Sequence, residues 1–205
     1  MMQSSSWANP GEKQSRRASI GLVLLMLTSI LSAVAPGATA SEIVLTDAIQ
    51  VVQSGHNDRM MALDADSQGN IHMVWSRNTN HLYYKMLDPR GETLIESTQI
   101  SDPGAQRAWH PDIRVDHDDM VHVVWTDKSG QYKIMYTLLD PSLDDQNGDS
   151  SLDSVLSIVP DDFEVANDPQ NRDWPAIDVD SDNNPHIVWE DSFEPLELFY
   201  QQLQI

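Results

Sequence analysis

Ala62-Leu63-Asp64-Ala65-Asp66-Ser67-Gln68-Gly69-Asn70-Ile71-His72-Met73-Val74-Trp75 returns twice in this chain. The second copy reads Asp112-Ile113-Arg114-Val115-Asp116-His117-Asp118-Asp119-Met120-Val121-His122-Val123-Val124-Trp125. The third reads Ala176-Ile177-Asp178-Val179-Asp180-Ser181-Asp182-Asn183-Asn184-Pro185-His186-Ile187-Val188-Trp189. The three align without a gap. A repeat of this period signals an array or a propeller rather than a single irregular domain. Each copy alternates apolar and polar residues, as a half-buried strand does, then crosses an Asp-rich turn. Gly69-Asn70 and Asn183-Asn184 suit that turn because they tolerate positive φ. The strand that follows, ending His-x-Val-Trp, is apolar on both faces and belongs between stacked sheets.

The rest of each unit continues the pattern. Third strands are expected over residues 81–87, 132–139 and 196–203, with aromatic residues at Tyr83-Tyr84, Tyr136 and Phe199-Tyr200. Fourth strands are expected over 93–100 and 155–165. The last unit has none after it, and residues 42–52 read as the strand that completes it from the other end. The expected fold is all-β: three four-stranded propeller-type blades in d-abc order, with units at about 56–105, 106–165 and 166–205. Closed rings take about four to eight blades. Three blades therefore imply an open wedge, a piece of a longer family, or a pseudo-ring of six made with a second copy, a homo-oligomer.

Residues 1–40 read as a secretory signal peptide, leaving 41–205 as the repeat domain. Lys13, Arg16 and Arg17 precede an apolar run from Ile20 to Val34, and Ala38-Thr39-Ala40 offers a small-x-small cleavage site. The run is short against the ~20 residues a spanning helix needs, so no membrane insertion is expected after its removal. The expected location is secreted or periplasmic. No cysteine is present. With 12 basic against 32 acidic residues the net charge is −20, which opposes nucleic acid as a partner.

The unit Asp-x-Asp-x-x-Gly-Asn-x-His-x-Val-Trp, followed by an aromatic strand, resembles the sialidase-like (BNR-type) group of bacterial and archaeal β-propeller repeats. The resemblance covers nearly all of residues 42–205 and implies propeller blades. A sialidase would need an arginine cluster, a Tyr nucleophile paired with Glu, and an acidic general acid. The Asp-box Ser-x-Asp-x-Gly-x-x-Trp is not matched as written, so sialidase activity is not carried over.

In blade topology the d–a and b–c loops share one face. That face gathers Arg59, Arg77, Arg107, Trp109, His110, Arg172 and Trp174, the candidate ligand-binding set. Aromatic planes stack on sugars or peptides, and Arg forks grip carboxylates. Alternatively, the two tryptophans plug the space between blades and the arginines pair with surplus Asp. His72, His122 and His186 recur with the repeat, which points to scaffold rather than zinc, each ring bonding a nearby Asp such as Asp66, Asp116 or Asp180. The longer stretch between the second and third copies contains Asp145, Asn147, Asp149, Ser151 and Asp153, spaced like the alternate oxygen ligands of a calcium loop. Ser150 stands where Gly is usual and Leu156 where the closing carboxylate belongs, so a solvated acidic loop is the other reading.

No Cys nucleophile, Gly-x-Ser-x-Gly or phosphate loop is present. The leading expectation is a non-catalytic module that binds a glycan or a protein on the d–a/b–c face. The alternatives are a glycan-active hydrolase of the sialidase-like class, with Tyr83, Tyr84 and Tyr132 as the tyrosines to examine, and a structural assembly module.

Overall fold

Three antiparallel sheets follow one another along the chain in a computed structural model that describes residues 46–102, 104, 107–143, 163–166, 171–191 and 194–205. All strands lie in one compact unit, Ala48–Ile205. The first sheet runs β1 (Asp58–Ala65), β2 (Ile71–Arg77), β3 (His81–Leu87) and β4 (Thr93–Gln99), each paired with the next. The second repeats this with β5 (Ala108–Val115), β6 (Val121–Asp127), β7 (Lys133–Leu139) and β8 (Phe163–Glu164). The third holds β9 (Arg172–Val179), β10 (Pro185–Asp191) and β11 (Leu198–Gln202). Among the described residues the only helical element is a 3-10 turn at Pro141–Leu143. No helix there is long and apolar enough to cross a membrane. The chain is thus all-β, built of propeller-type blades.

Each sheet presents two faces, and the repeat decides which side chain goes to which. Ile113, Val123 and Trp125 face the first blade, where they meet Val74, Leu82 and Tyr84. Val124 and Tyr136, on the other face of the same sheet, meet Ile177, Ile187 and Trp189 of the third blade. Doubly apolar β6 is buried at every position but its last because it is covered from both sides. Two cores therefore join blade one to two and blade two to three. Among the described residues, no core joins blade three back to blade one. The blades form an open arc.

The expected closing strand is corrected. Residues 46–52 carry no strand, and the third sheet has three strands among the described residues. Ile49 instead approaches Gly91, in the β3–β4 turn of the first blade. A Cβ added there would lie 2.5 Å from Ile49 Cδ1. Glycine at φ 87° leaves the notch that Ile49 enters, so this segment runs beside blade one.

The recurrent histidines are scaffold. His72 Nδ1 lies 2.7 Å from Tyr84 Oη, His122 Nδ1 2.9 Å from Tyr136 Oη, and His186 Nδ1 2.8 Å from Tyr200 Oη. On the other side, Nε2 faces Asp66 at 3.4 Å, Asp116 at 3.1 Å and Asp180 at 3.1 Å. A carboxylate only accepts, so Nε2 carries the proton and Nδ1 accepts from the tyrosine hydroxyl. Burial holds His72 and His122 below the ordinary histidine range, against the pull of their aspartates, so both rings are neutral near pH 7. Burial likewise pushes the Tyr136 hydroxyl up, keeping it a donor. Each aspartate also takes backbone N–H groups from its own turn, as Asp116 does from Asp118 and Met120.

Candidate functional site

The d–a/b–c face is shaped by a backbone feature that recurs in all three blades. Met60, His110 and Trp174 occupy equivalent positions near the start of β1, β5 and β9, with φ of 54°, 49° and 53°. At the same points the strand register shifts. These are β-bulges, which re-aim a side chain out of the ladder. Left-handed φ in such residues costs on the order of 1–3 kcal/mol each and persists only where the surroundings enforce it. Pro111 and Pro175, which follow two of them, are buried in β5 and β9.

The bulges bring His110 and Trp174 together across the seam between blades two and three. Their rings stack with centroids 3.6 Å apart at 14°. His110 is nearly buried and Trp174 is 59% exposed, so the indole forms an open platform backed by an imidazole. Beneath the stack lies Asp173, itself buried. Its carboxylate accepts from His110 Nδ1 (2.8 Å), Thr126 Oγ1 (3.0 Å) and the Trp174 backbone N–H (3.0 Å), and pairs with Lys128 Nζ. Burial alone would raise the Asp173 pKa; Lys128, His110 and the Trp174 N–H outweigh it and hold the group ionised. The Lys128 ammonium also sits 4.7 Å from the centres of both the Trp109 and Tyr132 rings.

The seven predicted ligand residues divide. Arg59, Arg107 and Trp174 are exposed. His110 is the underside of the platform. The other three belong to packing. Arg77 bonds Asp58 through Nε at 2.8 Å and lies 3.8 Å over Tyr83. Arg172 is buried with its guanidinium 4.4 Å over Phe199, facing the charge of Asp191. Trp109 is half-buried beneath Lys128 and edge-on to His110. The expected cluster of free Arg forks is therefore not present at Arg77 and Arg172. Their flat guanidiniums serve as lids on aromatic pairs, with the polarity of the Asp58–Arg77 register pair reversed at Arg172–Asp191.

Asp173, Thr126 and the bulge geometry were not anticipated from the sequence. Their signal is the residue-plus-proline pairs His110-Pro111 and Trp174-Pro175, which share one repeat position. Of the tyrosines, Tyr84 is bound to His72, Tyr83 lies under Arg77 and Tyr132 under Lys128. None is an open nucleophile. The calcium-loop residues Asp145, Asn147, Asp149, Ser151 and Asp153 lie outside the described residues. Among the described residues no group of His, Asp or Glu is arranged to hold a metal. The opposite face carries a cavity of about 310 Å³ between blades one and two, lined in part by Asp66, Asp118, Asp119 and Asp140.

No family model matches this chain, and no curated protein does. Among solved structures it is similar to an endo-arabinase from Bacteroides thetaiotaomicron, at 12% identity and a TM-score of 0.48, over 76% of this chain and 59% of that one. It is also similar to a thermostable family-43 glycoside hydrolase, at 12% identity and a TM-score of 0.42, over 76% of this chain and 57% of that one. The chain spans less than two thirds of the length of either. Neither is named as a sialidase. One is named as an endo-arabinase and the other as a glycoside hydrolase, and neither as a non-catalytic binding module.

Proposed function

We propose that this protein acts on a glycan at its d–a/b–c face, as a hydrolase of glycosidic bonds. The observation that carries the reading is the Trp174 platform. A flat indole, exposed on one side and braced on the other by His110 and the Asp173–Lys128 pair, is a rigid surface of the kind a sugar ring stacks on. Rigidity matters because positioning the bond to be cleaved supplies much of the rate. Hydrolysis also needs two carboxyl groups, about 5–5.5 Å apart for retention and about 6.5–9.5 Å for inversion. The same face supplies Asp127, partly exposed at the end of β6, whereas Asp191 at the end of β10 is buried against Arg172. Asp173 is excluded from that task because every one of its partners stabilises its charged form.

The test is hydrolysis of aryl pentosides and hexosides and of polymeric arabinan by the purified protein. Trp174→Ala should raise KM by about tenfold, the scale of ~1.4 kcal/mol of lost stacking. Asp127→Asn should lower kcat with little change in KM. Absence of any hydrolysis across the panel, with Trp fluorescence blind to the same sugars, would sink the proposal.

A further inference from the structure

The two ends of the arc are complementary by construction. At the first seam, Val74 and Tyr84 of blade one enter the core formed with blade two; at the second, Val124 and Tyr136 do the same towards blade three. The equivalent pair in blade three is Val188 and Tyr200. Val74 and Val124 are 0% exposed, and Val188 is 46% exposed. Tyr84 is 0% and Tyr136 2% exposed, whereas Tyr200 is 60% exposed. The receiving side shows the same break. Ile113 and Ile177 are 0% and 3% exposed, while their equivalent in blade one, Leu63, is 58% exposed. Blade three thus ends in an unfilled donor face and blade one begins with an unfilled receiving face.

Polar positions agree. His186, on the open face, is partly exposed, while His72 and His122, which make the same Asp–His–Tyr chain, are buried. At the second seam Thr126 donates to Asp173. The equivalents of these two at the open ends are Glu190 and exposed Arg59, a pair of opposite charge. A backbone bridge repeats as well. Ala108 N–H donates to Asn80 C=O, and Arg172 N–H to Tyr132 C=O; the corresponding groups at the two ends are the Asp58 N–H and the Leu196 C=O.

We infer that a second copy of this chain docks its blade-one face on the blade-three face of the first, with Leu63 packed against Val188 and Tyr200 and Arg59 paired with Glu190. Two such seams close two arcs into six blades, within the range of about four to eight that complete rings take. Burying the apolar faces supplies the driving force, and the hand of the repeat sets a head-to-tail rather than a face-to-same-face contact.

Sedimentation of the purified full chain tests this. The expected mass is that of a dimer; a strictly monomeric mass at high concentration overturns the inference. Val188→Glu alone and Leu63→Glu alone should each give monomers with unchanged circular dichroism, since both side chains are on the surface. Mixing the two variants should restore a dimer, because one seam then joins an intact blade three to an intact blade one. A dimer that survives Leu63→Glu but not Val188→Glu would mean that like faces pair, and would overturn the proposed seam.

Discussion

At the scale of single residues, the buried charges decide the behaviour. Lys128 and Asp173 are both nearly buried and satisfy each other. Such a pair adds little net stability over an apolar one, but removing one partner strands the other. Lys128→Met should therefore destabilise by about 3–5 kcal/mol, read by urea denaturation. It should also weaken the Trp174 platform, since Asp173 would lose its strongest partner. The neutral histidines give a pH signature. His72 and His122 titrate below their ordinary value of 6.5 in the folded protein, so the unfolded chain binds more protons. Their contribution is complete above pH 6.5 and is lost as the pH falls below it. Asp58, Asp66 and Asp173 have folded values below 3.8, so their contribution is complete above that pH and is lost as the pH falls through the folded values. The melting temperature should be level above pH 7, decline from pH 6.5 and fall again below pH 4. His122→Gln should melt lower at pH 7.5 yet lose less between pH 7 and 5.

At the scale of elements, the a–b turn is the unit that the repeat preserves. Asp116 gathers the N–H groups of Asp118 and Met120 and the Nε2 of His122, so one carboxylate ties the turn to the core strand. Asp119, like Gly69 and Asn183, takes positive φ at the next corner. Asp116→Ala removes three bonds to one charged acceptor and should cost about 2–4 kcal/mol, measured by thermal denaturation at neutral pH. These turns, the strands around them and the scaffold role of the histidines are legible in the sequence because each depends on contacts within one copy, written out three times. The bulges at Met60, His110 and Trp174 are not, because their residue types differ and only the backbone is shared. The side-chain partners of Asp173 come from another blade and so leave no local pattern. The closing strand expected over 42–52 is absent from its described part, residues 46–52, for a related reason. Strand character does not say which edge a segment meets, and Ile49 meets the Gly91 notch of blade one.

At the scale of the whole molecule, the arc has the energetics of a short array. Each blade touches only its neighbours, so stability is a sum of blade terms and seam terms, and a defect should stay local. The two cores make the test specific. Ile187 is fully buried in the seam between blades two and three and has no part in the first seam. Ile187→Ala should cost about 2–5 kcal/mol at that seam, through lost burial and the cavity left behind. In a closed ring of six that cost would be shared, because blade three would still be held on its other side by the partner's blade one. In a lone arc, blade three is the terminal unit and would open by itself. Hydrogen exchange followed peptide by peptide separates these outcomes. Under dilute conditions, where any dimer dissociates, the Ile187→Ala chain should lose protection across β9, β10 and β11 while β2 and β6 keep theirs. At high concentration the protection of β9–β11 should return, more strongly than for the same variant carrying Leu63→Glu. Uniform loss of protection across all three blades would mean that the chain folds as one indivisible unit and that the seams are not separable.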